Sequence, residues 1–82
     1  MKIGVYAVRD AKTEAFSAPL FFITPAVAVR AFGDECNNSE SPWHRHPEDY
    51  ALFAIGTFDD NTGLIESQQP TQITSALDFH RD

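Results

Sequence analysis

Residues 50–58 read Tyr-Ala-Leu-Phe-Ala-Ile-Gly-Thr-Phe, with no charge and with apolar side chains at both odd and even positions. A β-strand sends alternate side chains to opposite faces. Tyr50, Leu52, Ala54 and Phe58 are therefore expected on one face, and Ala51, Phe53 and Ile55 on the other. A strand apolar on both sides has to be covered on both sides. Turn chemistry bounds the run. Pro47-Glu48-Asp49 reads as a tight acidic turn or a single helical turn. Asp59-Asp60-Asn61-Thr62-Gly63 reads as a hairpin connection, with Asn or Gly available for positive φ. Leu64 to about Glu66 then forms the returning strand. Ile3 to Val8 repeats the two-faced pattern, with Ile3, Val5 and Ala7 opposed by Tyr6 and Val8.

A short paired piece is expected around Glu14 to Phe16, and a short strand over Leu20 to Ile23. Thr24-Pro25 announces a helix, with Thr as N-cap and Pro at the first helical position. Val29, Phe32 and Cys36 recur at helical spacing, while Arg30, Asp34 and Asn37 fall on the other side, so the helix runs from Thr24 to about Asn37 with a narrow apolar face. Gly33 weakens its last turns. Asn38 to His46 reads as a loop. The expected fold is α+β: a small, mostly antiparallel sheet with one amphipathic helix on one face. One helix covers one face only, so the other face needs a second layer. Self-association meets that need, and a homodimer interface is expected there. The competing reading folds Ile73, Leu77 and Phe79 back over that face. Residues 1–66 are read as one domain and 67–82 as a less patterned C-terminal segment.

The chain has 82 residues, enough for one domain with a marginal core. Its one cysteine, Cys36, excludes an internal disulfide framework and suits a reducing compartment. There is no leader pattern and no apolar run near ~18 residues, so a soluble, intracellular protein without membrane contact is expected. The net charge of −6 is unevenly spread. Met1 to Gly33 carries Lys2, Arg9, Lys12 and Arg30 against Asp10 and Glu14. Asp34 to Asp82 carries ten acids against Arg45 and Arg81. An acidic chain is repelled by a phosphate backbone at long range. Nucleic-acid contact must then come from the N-terminal half or from the His44-Arg45-His46 segment.

Catalytic patterns are absent. Cys36 falls on the apolar helix face, and no glycine-rich elbow or phosphate loop is present. No enzyme and no cofactor are expected. His44, His46, Cys36 and His80 are the candidate soft metal ligands, and His44-x-His46 on a strand could bind zinc. The pair falls in an expected loop between Pro42 and Pro47, however, and no second pair has recognisable spacing, so no metal site is expected. His46 is instead expected to cap the turn at Glu48. Asp59, Asp60 and Asn61 lack the later Glu of a calcium loop. Aromatic residues are the stronger lead, because bases stack on exposed rings. Phe21, Phe32, Phe53 and Phe58 are expected in the core, and Trp43, between Pro42 and His44, at the surface. The candidate nucleic-acid-binding residues are Lys2, Arg9, Lys12, Arg30, Trp43, His44 and Arg45. Protonated His44 and His46 would add positive charge to this set.

One resemblance adds to this reading. Lys2-Ile3, Val5 to Val8, Asp10, Lys12 and Glu14 to Phe16, then Arg30-Ala31-Phe32, then His46-Pro47-Glu48-Asp49-Tyr50 with Leu52-Phe53, Ile55-Gly56, Phe58-Asp59-Asp60 and Thr62-Gly63, follow one order. Over Met1 to about Ile65 that order resembles the small non-structural proteins of gokushoviruses, microviruses with circular single-stranded DNA genomes. The resemblance implies a non-structural bacteriophage protein in the host cytoplasm. It implies binding to single-stranded DNA during genome replication or the switch to packaging. The replication initiator or the procapsid are implied as further partners. An acidic adaptor that docks on a viral or host replication protein, without touching DNA, is the alternative. The resemblance places no catalytic residue on this chain.

Overall fold

A computed structural model describes residues 1–79 of the chain. Five strands and two helices follow in order: β1 Lys2–Asp10, β2 Ala15–Phe16, β3 Leu20–Phe22, α1 Pro25–Cys36, α2 Pro42–Arg45, β4 Tyr50–Asp59 and β5 Ile65–Ser75. Single turns of 3₁₀ helix precede β4 (Pro47–Asp49) and follow β5 (Ala76–Phe79). The fold is α+β, an antiparallel sheet with one main helix, as the sequence predicts. β1 lies beside β4, and β4 beside β5. The remaining edge of β1 is shared: β3 pairs with Gly4 to Tyr6, and β2 with Arg9 and Asp10.

The helix begins where its capping residues dictate. Thr24 stands outside in extended backbone, and its Oγ1 accepts from the Val27 N–H at 3.2 Å. Pro25 follows in the first turn, where its missing N–H costs nothing. Ala28, Phe32, Gly33 and Cys36 form the buried stripe. They meet Tyr6, Val8 and Leu52 of the sheet, with Phe22, Trp43, Tyr50, Ala54, Ile73 and Phe79 around them. Burial pushes the Cys36 thiol up to about 11 and raises the Tyr6 phenol.

Four sequence expectations are corrected. The segment Asn38 to His46 is not all loop: Ser41 Oγ accepts from the Trp43 N–H at 3.1 Å and caps α2. The returning strand does not stop near Glu66 but continues to Ser75, because β4 is long enough to pair with it from Phe58 to Ala51. Phe58 does not share a face with Tyr50, Leu52 and Ala54. The β1–β4 register runs Val5↔Gly56 and then Tyr6↔Ala54, so Ile55 is an unpaired bulge residue. One inserted residue reverses the alternation beyond it, and Phe58, opposite Ile3, joins the face of Phe53. Gly56 permits the close approach, since a Cβ there would strike the Glu66 carbonyl oxygen. Finally, Ile73 and Phe79 do not cover the second face. They pack on the helix side, where the Phe79 ring stands edge-on to Phe32 at 6.0 Å. Asp78 secures that turn by accepting from Thr74 Oγ1 at 2.6 Å and the Ser75 N–H at 2.9 Å.

Both helices and the terminal turn thus sit on one side of the sheet. The other side, with Ile3, Val5, Ala7, Phe16, Phe21, Phe53, Phe58 and Ile65, carries no second layer among the described residues. No helix of the described residues is long and apolar enough to cross a membrane.

Candidate nucleic-acid interface

The end of the sheet where β1 finishes and β4 begins gathers most of the predicted residues. The Ala11 N–H donates to the Asp49 carbonyl at 2.8 Å, which ties the β1–β2 turn to the 3₁₀ turn. The Asp10 carboxylate accepts from the Lys12 N–H at 2.9 Å and sets the turn on which Lys12 stands, exposed. Glu14 holds a positive φ of 57° in the same turn. Arg9 lies on the open side of β1, against Ala51 and Phe16 in register. Arg45 ends α2, exposed, with its Nη2 donating to the Glu40 carbonyl at 3.4 Å. A cleft of about 210 Å³ opens between the β1–β2 segment and α2, lined by Asp10, Thr13, Ser17, Trp43 and Tyr50 among others.

Trp43 departs from expectation. It is half-buried, 5.1 Å from Phe32 and 6.3 Å from Tyr50 between ring centroids. The short α2 turns the indole inward, and one edge remains on the cleft wall. Tyr50, which the sequence reading left out of the site, forms the neighbouring wall. Burial first, and then the Asp10 carboxylate, push its phenol up. Its adjacency to the acidic turn was the available signal.

The other predicted residues scatter. His44 is structural: its Nδ1 meets the Cys36 carbonyl at 3.0 Å and ties α2 to the end of α1. Arg30 is exposed on the outer side of α1. Lys2 sits at the far end of β1, seven residues and about 23 Å from Arg9 at the usual strand rise, and its Nζ lies 3.9 Å from Glu66. Among the described residues Arg9, Lys12, Arg30 and Arg45 have no carboxylate within ion-pair distance, unlike Lys2. His46 makes no side-chain cap to the Glu48 turn. It lies instead with Glu48 and Asp49, one ligand atom of each within 4.8 Å of the others, on an exposed turn. Cys36 is buried away from these groups, and His80 lies outside the described residues.

A second set of rings lies on the open face. Phe16 meets Phe53 edge-on at 5.4 Å, and Phe21 meets Phe58 at 6.0 Å. Phe16 and Phe21 remain 44% and 50% exposed. Phe21, Phe53 and Phe58, expected in the core, lie instead on this open face and outside the buried cluster that Phe32 joins. Their shared face was hidden by the bulge at Ile55 and by the brevity of β2 and β3.

One protein-family model, described as Phage ORF5 protein, matches residues 3–79. No curated protein matches the chain, and no solved structure does.

Proposed function

The chain belongs to the Phage ORF5 protein family, and from that premise we propose that it is a non-structural protein of a gokushovirus that binds single-stranded DNA. The binding serves genome replication or the switch to packaging. The observation that carries this reading is the set of cations without acidic partners. Arg9, Lys12 and Arg45 stand around one end of the sheet with no carboxylate in ion-pair range among the described residues. The Trp43–Tyr50 cleft opens at that end. Cations of this kind exchange counterions for phosphates, and an aromatic wall offers a stacking surface to any base. Asp10, Glu48 and Asp49 share the region, so attraction acts at short range and affinity falls steeply with salt.

The test is a titration of a labelled single-stranded oligonucleotide across a salt series. Lys12→Gln with Arg45→Gln should flatten the plot of log affinity against log salt by about 1.4, two phosphates at ~0.7 each. Trp43→Phe, which keeps the contact to Phe32, should lower affinity without changing the slope. An unbound oligonucleotide at low salt refutes DNA binding. The acidic adaptor, docking Asp34, Glu35 and Glu40 on a basic replication protein, then takes its place.

A further inference from the structure

We propose that the open face of the sheet is the docking surface for a second copy of this chain. The inference rests on the apolar side chains of this face, which shares one cation, Arg9 at its end, with the proposed nucleic-acid patch. Register puts Ile3, Val5, Ala7 and Arg9 of β1, Phe16 of β2 and Phe21 of β3 on this face. Ala51, Phe53 and Phe58 of β4 and Ile65, Ser67 and Gln72 of β5 join them. Rings from the strands on either side of β1 meet above it, Phe16 with Phe53 and Phe21 with Phe58. Beneath them Val5 and Ala7 are already buried. The rings themselves are not, and Ile65 at the rim is 62% exposed.

Three properties select a second copy as the occupant. The first is charge. Among the paired positions of this face Arg9 is the one charged residue, at one end. A nucleic acid needs a row of cations, and a charged partner needs its complement. This surface offers neither, and an apolar surface is its own complement across a two-fold axis. The second is size. Four strands ~4.8 Å apart and about nine residues of ~3.3 Å rise give a face of about 20 by 30 Å. That is about 600 Å², at the upper end of the apolar patch a typical monomer leaves bare and approaching the ~800 Å² per partner of a stable interface. The third is composition, since phenylalanine and isoleucine without acids or lysine are what the centre of a permanent interface contains. Among the described residues, both helices and the terminal turn are spent on the opposite side.

Sedimentation equilibrium without nucleic acid tests the proposal. At about 50 µM the protein should have about twice its 9.1 kDa mass, and should keep that mass at about 1 M salt, because no ion pairs hold the interface. Phe16→Gln with Phe21→Gln should give a folded monomer with the far-UV circular dichroism of the parent. Both rings lie on short edge strands and are half exposed already. If that double variant unfolds, Ile65→Gln decides, and should weaken self-association by about tenfold, or 1.4 kcal/mol. A monomeric parent, or a folded double variant that stays dimeric, overturns the proposal. So does Ile65→Gln with undiminished self-association. A monomeric parent that loses oligonucleotide affinity on Phe21→Gln alone would make the face a base-stacking platform instead, since Phe16 also lines the Trp43–Tyr50 cleft.

Discussion

Gly33→Ala isolates the contact between α1 and the C-terminal turn, because two known effects oppose each other there. Propensity alone favours alanine inside a helix by about 1 kcal/mol. A Cβ on Gly33, however, would lie 2.7 and 2.9 Å from two carbons of the Phe79 ring, against ~3.5–4.0 Å for ordinary contact. The ring must retreat. It then loses its edge-on contact with Phe32, worth ~0.5–1.5 kcal/mol, and overpacking strain adds ~1–3 kcal/mol. The terms sum to destabilisation of about 0.5–3.5 kcal/mol. Because the clashing atoms are ring carbons at the end of a side chain that can swing aside, the lower part, about 1 kcal/mol, is expected, a fall in Tm of ~4–8 °C for a domain this size. With Phe79→Ala already present the new methyl strikes nothing, and the same substitution should stabilise by ~0.5–1 kcal/mol. The sign therefore reverses, with a coupling of about 1.5–2 kcal/mol. Urea melts of the four proteins at one fixed concentration measure it, since self-association would otherwise shift the midpoints. Equal stabilisation in both backgrounds would show that Phe79 does not pack on Gly33, and would refute the reasoning.

Further outcomes are expected from the same geometry. Thr24→Ala should cost ~1 kcal/mol by freeing the Val27 N–H, and Phe32→Ala ~3–5 kcal/mol; two neutral melts would remove the basis for α1. The Cys36 thiol, raised to about 11, should resist alkylation at pH 8 and react on addition of denaturant; rapid labelling of the folded protein would contradict its burial. The Asp59 and Asp78 carboxyls are held below the ordinary 3.8, Asp59 chiefly by the Asn61 N–H and Asp78 by the Thr74 hydroxyl. A folded value below the unfolded one adds stability that is complete above the unfolded value and is lost as pH falls through the folded one. Tm should therefore hold level from about pH 7 to 5 and decline below about pH 4. Asp78→Asn should lessen that acid decline, and an unchanged profile would deny Asp78 its role in the turn.

Local chemistry was legible in the sequence wherever neighbours in the chain decide the outcome. Thr24-Pro25 starts α1 because a side-chain cap and a missing N–H act within one turn. Gly63, at φ 76°, closes the β4–β5 hairpin because few other residues adopt that backbone. The two-faced strands announced a sheet in need of cover on both sides. Arg9, Lys12 and Arg45 stand out as cations in any reading of the chain. Tertiary structure alone decided the rest. The bulge at Ile55 moved Phe58 to the other face, because a one-residue slip in pairing reverses every side chain beyond it, and pairing is not written in either strand alone. Trp43 turned inward because Phe32 and Tyr50, eleven and seven residues away, converge on it. Gly33, a helix weakener by composition, is the place where Phe79 fits. Lys2 and Arg9, alike in the sequence, ended on opposite faces and opposite ends of one strand. Alternation and packing assign a side chain its surroundings, and they act between residues that only the folded chain brings together.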